Sequence, residues 1–297
     1  MRFLLTGGSA SGKSFFAERL AKSFPEPRYY IAAMEPANDF DRRRIAKHQE
    51  ARQGDFATIE RYVGIDRLIL PKRGAALLEC MCHLSANEMF SPQGAKEQAL
   101  DALVASVGNL SAQCDNLIVV TNDVGSDGIA YSSLVDSYIG LLGEINRRMA
   151  TEFDNVYEFC AGIPLVLKGE RYRFGDGGGK SAMTLVIGAM GAGKKEYITG
   201  SLGYGEGSIS DGSIGNKPVV VNLQEVLRGY NGDCMGLLPM LLEKEVVACN
   251  EVGSGVIPIT KEEMVFRVEC GRLCNALAQN AQKVVRVVCG IPVVIKG

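Results

Sequence analysis

Histidine is nearly missing from this chain: 297 residues carry only His48 and His83. Two imidazoles argue against a His-rich metal centre, and any histidine chemistry falls to one of them. An excess of either charge is missing too, with 32 basic against 34 acidic side chains. That balance argues against broad nucleic-acid or membrane-surface binding, although it allows a local basic patch. No run approaches the roughly 18–20 apolar residues that a membrane-crossing helix needs. The apolar run near the N-terminus, Phe3-Leu4-Leu5, is too short for a secretory leader. The nine cysteines are odd in number and include no C-x-x-C pair, which excludes a recognisable disulfide framework or zinc knuckle. Most of them read as small buried hydrophobes in a reducing compartment, and the expected location is cytoplasmic.

What is abundant is glycine, 35 of 297 residues, against an average usage of about 7%. With 46% hydrophobic and 22% charged residues, the chain can bury a full-sized core. At about 150 residues per domain, the length suits two.

Self-comparison gives those two domains a common design. Residues 117–169 align without gaps to 245–297, with 15 of 53 positions identical at an offset of 128. Asn122-Asp123-Val124-Gly125-Ser126 falls on Asn250-Glu251-Val252-Gly253-Ser254, and Gly162-Ile163-Pro164 falls on Gly290-Ile291-Pro292. The front repeats at an offset of 181, where Leu4 through Ser14 resemble Leu185 through Lys195. The second copy is therefore 53 residues shorter between its first and later motifs. Glycines in Arg173 through Lys180 suit a linker, which places one domain at 1–174 and the other at 175–297.

In the first copy, short apolar runs alternate with helical patterns. Strands are predicted at 2–6, 28–33, 75–79, 116–121, 155–160 and 164–168, and helices at 13–24, 39–52, 94–112 and 132–152. This alternation predicts an α/β fold with a mostly parallel sheet and helices on both faces. The last two strands are too close for a crossover and are expected to form an antiparallel hairpin. In the second copy, strands are predicted near 183–187, 218–222, 245–249, 283–289 and 292–296.

Gly7-Gly8-Ser9-Ala10-Ser11-Gly12-Lys13-Ser14 fits the phosphate-loop pattern G-x-x-x-x-G-K-[ST] between a predicted strand and helix. Such a loop wraps phosphates with backbone N–H groups. Its lysine reaches the β- and γ-phosphates, and its hydroxyl ligates Mg²⁺. A glycine-rich turn with an incidental lysine is the alternative. The companion carboxylate expected at a strand end is either Glu79 or Asp123; for Glu79 the alternative is a solvated strand end. In the second copy Lys195 stands where the hydroxyl belongs, so Mg-dependent phosphoryl transfer is not expected there. Arg44, His48 and Arg52 share one face of the predicted helix 39–52. Flanking guanidiniums would keep His48 neutral and nucleophilic, but an ordinary solvated helix would look the same. His83, beside Cys82 and Leu84, is expected in or near the core.

Taken in order, these segments resemble a known family. They are Thr6 through Ser14, Tyr30-Ile31-Ala32, Arg44-Ile45, His48, Arg52, Thr58, Glu60 and Leu77-Leu78-Glu79-Cys80, then Thr121 through Gly125, Asn146-Arg147 and Gly162-Ile163-Pro164. The family is the bifunctional adenosylcobinamide kinase/adenosylcobinamide-phosphate guanylyltransferase of cobalamin biosynthesis. The resemblance implies a RecA-like P-loop domain that phosphorylates adenosylcobinamide and then transfers GMP from GTP through a guanylylated histidine. It makes His48 and Lys13 catalytic. It also assigns nucleotide binding to Gly7, Gly8, Ser9, Ala10, Ser11, Gly12, Lys13, Ser14, Ala32, Arg52, Glu60 and Glu79.

The implied cofactor is Mg²⁺, held by Ser14 and Glu79, with GTP and ATP as substrates. The implied partners are adenosylcobinamide and a nucleoside triphosphate, with no nucleic acid or membrane, in a homo-oligomer. Departures from the family pattern are Gln53 after Arg52 instead of proline, Ala33 in place of Thr or Ser, and Glu144 in place of arginine after Gly143. The second copy has Gly271-Arg272 at the last of these and lacks the whole nucleophile helix. These losses keep two alternatives open: a nucleotide-binding regulatory or scaffold protein, and an enzyme retaining only the kinase step.

Overall fold

The computed structural model describes residues 1–36, 54–126, 129–172, 181–256 and 260–297. The predicted helix 39–52 and the glycine-rich linker 173–180 lie outside them. Two compact units form. Met1–Thr6, Lys13–Glu158 and Val166–Glu170 make the first, and Gly7–Gly12, Phe159–Leu165 and Arg171–Gly297 the second.

The first copy runs β1 (Arg2–Gly7), α1 (Lys13–Lys22), β2 (Arg28–Ala32), β3 (Ala57–Glu60), β4 (Ala75–Glu79), α2 (Met81–Phe90) and α3 (Ala99–Gln113). It continues with β5 (Asn116–Val120), α4 (Ser133–Glu152), β6 (Asn155–Cys160) and β7 (Ile163–Lys168). Seven strands form one sheet in the order β3-β2-β4-β5-β1-β6-β7. Strands β1 to β5 pair in parallel. Leu4, Leu5, Ile31, Leu77, Leu78, Ile118 and Val119 are all buried, as the unalternating apolar runs require. β6 turns into β7 through Ala161 (φ 48°) and Gly162 (φ 79°), the left-handed pair that suits a two-residue hairpin.

Three features of this first copy depart from the sequence reading. The predicted helix 94–112 begins only at Ala99, because Gly94 closes a tight turn against α2. A Cβ on Gly94 would stand 2.3 Å from the Asn87 carbonyl oxygen. α2 itself escaped prediction because its buried face is not uniformly apolar: Ser85 and Glu88 are buried there beside Met81, Cys82 and Leu84. The buried Glu88 carboxylate accepts the Gly64 and Ala95 N–H groups, at 2.8 and 3.0 Å. β3 is a short, mostly exposed edge strand whose sequence shows no alternation.

The second copy runs β8 (Ser181–Gly188), α5 (Lys194–Glu196) continuing as a π-helical turn over Tyr197–Ser201, β9 (Ile209–Asp211) and β10 (Val219–Val221). It then continues with α6 (Leu223–Arg228), α7 (Leu238–Leu242), β11 (Val246–Asn250), α8 (Lys261–Asn280), β12 (Ala281–Val288) and β13 (Ile291–Lys296). Its six strands take the order β13-β12-β8-β11-β10-β9, with only the β12–β13 pair antiparallel. The fold class is thus α/β, with two mostly parallel sheets.

The sheet registers reproduce both sequence offsets. Leu4 lies opposite Val119 in the first sheet, and Leu185 lies opposite Val247 in the second. α4 and α8 are each 20 residues long and start one residue after an N-capping hydroxyl, Ser132 and Thr260 respectively. The second hairpin turns on Cys289 (φ 49°) and Gly290 (φ 80°), repeating the first.

Candidate active site

Strand β1 delivers the chain into the loop Gly7–Ser14, and helix α1 begins at its lysine. Glycine is required at both ends of the loop. Gly7 (φ 132°) and Gly12 (φ 93°) have backbone angles that side chains disfavour. A Cβ on Gly12 would also stand 2.8 Å from Gly162 Cα. Lys13 is only 5% exposed, and burial lowers its ammonium pKa to about 8. Nearby Cys82, Cys80, Glu79 and Asp123 oppose that shift by favouring the charge.

Of the two carboxylates nominated by sequence, Glu79 is the one that meets the loop. Ser14 Oγ donates a short hydrogen bond to Glu79 Oε1, and Tyr30 Oη donates to Glu79 Oε2 at 2.9 Å. β5 lies between β1 and β4, so Glu79 reaches Ser14 across one intervening strand. Asp123 instead caps its own turn, accepting from Gly125 N–H at 3.4 Å and Ser126 Oγ at 2.5 Å.

The carboxyl ends of neighbouring parallel strands bring further nominated residues together. Ala32 lies opposite Glu60 on β3 and opposite Glu79 on β4. The crevice outside such strand ends is where open α/β sheets bind ligands. Glu60 is exposed there and accepts the Tyr62 hydroxyl at 3.0 Å. His48 and Arg52 lie outside the described residues.

Sequence reasoning missed the group just behind Glu79. Cys80 Sγ lies 2.9 Å from the Nδ1 of His83, which is half-buried. Hydrogen bonding with Cys82, together with the neighbouring His83, holds the Cys80 thiol well below its usual value, while the bond with Cys80 and burial push Cys82 up. Cys82 Sγ accepts the Asn122 N–H at 3.1 Å, and Thr121 Oγ1 donates to Asn146 Oδ1 at 2.8 Å. The C-x-x-H spacing Cys80–His83 was the available signal, since three residues span one helical turn.

The second loop has the same backbone form but different contents. Gly193 has the φ of Gly12, 93°. Lys194 folds back, donating to the carbonyls of Gly188 at 3.0 Å and Ala189 at 2.7 Å. Lys195 replaces the hydroxyl and pairs with Glu206 at 3.1 Å. Because Leu78 lies opposite Val119 and Val220 opposite Val247, Val221 takes the register of Glu79. Hydroxyl and carboxylate are both gone. Glu144 is bound by Arg147 and Arg148, each at 2.7 Å, and Arg272 pairs with Glu269 at 2.7 Å, so each is satisfied locally.

A glycine loop opening a helix, a buried lysine and a hydroxyl–carboxylate pair define a P-loop α/β protein. Comparison with known proteins narrows this. The family model "Cobinamide kinase / cobinamide phosphate guanyltransferase" matches residues 3–167 and 229–295, and the chain belongs to that family. The bifunctional adenosylcobalamin biosynthesis protein CobU of Escherichia coli K12 is 30% identical over 182 residues, covering 57% of this chain and 100% of the relative. CobU of Salmonella typhimurium LT2 gives the same figures. The CobP protein of Pseudomonas aeruginosa PAO1 is 29% identical over 175 residues, 57% of this chain and 99% of its own. Among solved structures, a KaiC-like protein of Pyrococcus horikoshii OT3 aligns over 58% of this chain and 81% of its own, at TM-score 0.33 and 16% identity. No described helix is long and apolar enough to cross a membrane.

Proposed function

We propose that the first copy phosphorylates adenosylcobinamide and then converts the product to adenosylcobinamide-GDP, through a guanylyl group carried on His48. The observation that carries this reading is the meeting of Ser14 with Glu79 beside the buried Lys13. Hard oxygen donors in that pair suit Mg²⁺, which takes one or two carboxylates and completes its shell with water and phosphate. Ser14 and Glu79 would hold the ion, and when bound it neutralises charge on the β- and γ-phosphates. Tyr30 fixes one carboxylate oxygen of Glu79, leaving the other turned to the loop.

Lys13 stabilises the negative charge that develops as phosphorus is transferred, a preorganised cation in a water-poor site. In the kinase step, the aminopropanol hydroxyl attacks the γ-phosphorus and the nucleoside diphosphate leaves. In the second step, the His48 imidazole attacks the α-phosphorus of GTP and pyrophosphate leaves. The phosphate of adenosylcobinamide phosphate then takes the guanylyl group and frees the imidazole. Ala32, Glu60 and Glu79, gathered at adjoining strand ends, line the nucleotide's side of this crevice. The order β1-β5-β4, with one strand between loop and carboxylate, supports a RecA-like sheet.

The test is product analysis with adenosylcobinamide, GTP, ATP and Mg²⁺. The expected sequence is the phosphate followed by the GDP derivative. Accumulation of the phosphate alone would mark a kinase-only enzyme. Tight GTP binding without either product would mark a regulatory protein.

A further inference from the structure

The second copy gathers three cysteines that the proposed chemistry does not use. Cys249 is the next-to-last residue of β11, and Cys270 and Cys274 lie one turn apart on α8. Their sulfur atoms all lie within 4.8 Å of one another, with Cys249 Sγ and Cys270 Sγ 3.6 Å apart. Exposure is 0%, 1% and 7%. At the offset of 128, these positions match Thr121, Leu142 and Asn146 of the first copy. There the Thr121 hydroxyl donates to the Asn146 amide oxygen. Both partners of that hydrogen bond have become cysteine, and a third cysteine faces them.

We propose that Cys249, Cys270 and Cys274 form a three-thiolate site for a soft closed-shell cation, with monovalent copper the best fit. Thiolate sulfur selects Cu(I) and Zn²⁺ over hard cations. A metal–sulfur bond of about 2.3 Å in a trigonal plane sets the sulfurs about 4 Å apart, which these three match within side-chain adjustment. Structural zinc takes four ligands, and among the described residues no fourth cysteine, histidine or carboxylate joins the group. Two cations favour charge on the sulfurs, Lys194 at Cys249 and Arg228 at Cys270. Binding releases the thiol protons and ties β11 to α8, where the first copy uses a neutral hydrogen bond.

The test is anaerobic titration of the reduced full chain with Cu(I) against bicinchoninate. The wild type is expected to take one equivalent, gain thiolate-to-copper absorption in the ultraviolet and show a shell of three sulfurs by X-ray absorption. Its thermal midpoint should rise with the metal. The double variant Cys249→Thr/Cys274→Asn reinstates the first copy's pair and so keeps a native option for folding. It should lose affinity by more than about 100-fold. Cys289→Ser, an exposed cysteine, should bind as the wild type does. Absence of uptake by the wild type would overturn the site, as would undiminished uptake by the double variant. Preference for Zn²⁺ with a four-ligand shell would overturn the three-coordinate assignment.

Discussion

The two copies share a strand–loop–helix frame, yet only the first keeps the hydroxyl and the carboxylate that complete the phosphate-loop pattern. Both loop lysines are buried, Lys13 with Glu79 among the groups that favour its charge and Lys194 with Glu251 in that role, so the lysine itself is common to the two. Ser14 and Glu79 meet in one copy; Lys195 and Val221 stand in their places in the other. Backbone shape and chemistry are therefore separable. The glycine turn survives because Gly188 packs against the Val287 carbonyl, where a Cβ would stand 2.5 Å away, whether or not an anion is ever held. Helix α1 runs ten residues, but the second helix passes into a π turn after three. What a P-loop needs beyond its glycines is a hydroxyl and a carboxylate fixed by neighbouring strands.

The comparison breaks most directly at the lysines. Lys13→Met is expected to lower both activities by roughly 10²–10³-fold, while Lys194→Met leaves the rates unchanged; steady-state assays of each half-reaction check this. Equal losses would mean that the second loop also works. Next in size are Ser14→Ala and Glu79→Gln. Each should cut turnover by about 10²-fold and raise the Mg²⁺ concentration needed for half-maximal rate, as read from metal titrations.

A third expectation has the opposite sign. Burial places the folded-state value of Lys13 near 8, below the ordinary 10.5. Between those values the unfolded chain binds the extra proton, so stability rises with pH across that window. Below it the buried charge costs roughly 3 kcal/mol. Ligand-free Lys13→Met should be more stable than wild type by that order at neutral pH, with the gain fading as pH approaches 10.5. Urea unfolding at a series of pH values measures it.

The smallest effect concerns the surface. Arg147 and Arg148 hold the Glu144 carboxyl down to about 2. That pairing supports the fold above the ordinary carboxylate value of 4.5 and is lost as pH falls toward 2. Glu144→Gln should therefore show a slight deficit at neutral pH that disappears in acid, measurable by thermal melts.

Much of this comparison was legible in sequence, because a phosphate loop is contiguous and a repeat needs only an offset. The hairpins, the sheet strands other than β3 and β9, and the 20-residue helix of the first copy fell where the sequence pattern put them. Less legible were features decided across strands. The residue pattern alone left both Glu79 and Asp123 open, the family resemblance pointed to Glu79, and the β4–β5–β1 order is what brings Glu79 to Ser14. Tyr30 gave no signal as a partner of Glu79, since that contact depends on the register of β2 against β4. Val221 was equally silent: it became meaningful only once β10 was aligned through β11. α2 was hidden because polar Ser85 and Glu88 sit on its buried face, and β3 because it is mostly exposed.

The central claim is that guanylyl transfer resides in the first copy, on His48, whose segment has no counterpart in the second. Labelling with GTP carrying radioactive phosphorus at the α position tests it most directly. The account predicts one acid-labile, hydroxylamine-sensitive adduct per chain, lost in His48→Asn and Lys13→Met and kept in Lys194→Met. Undiminished labelling of His48→Asn, or loss of label in Lys194→Met, would contradict it.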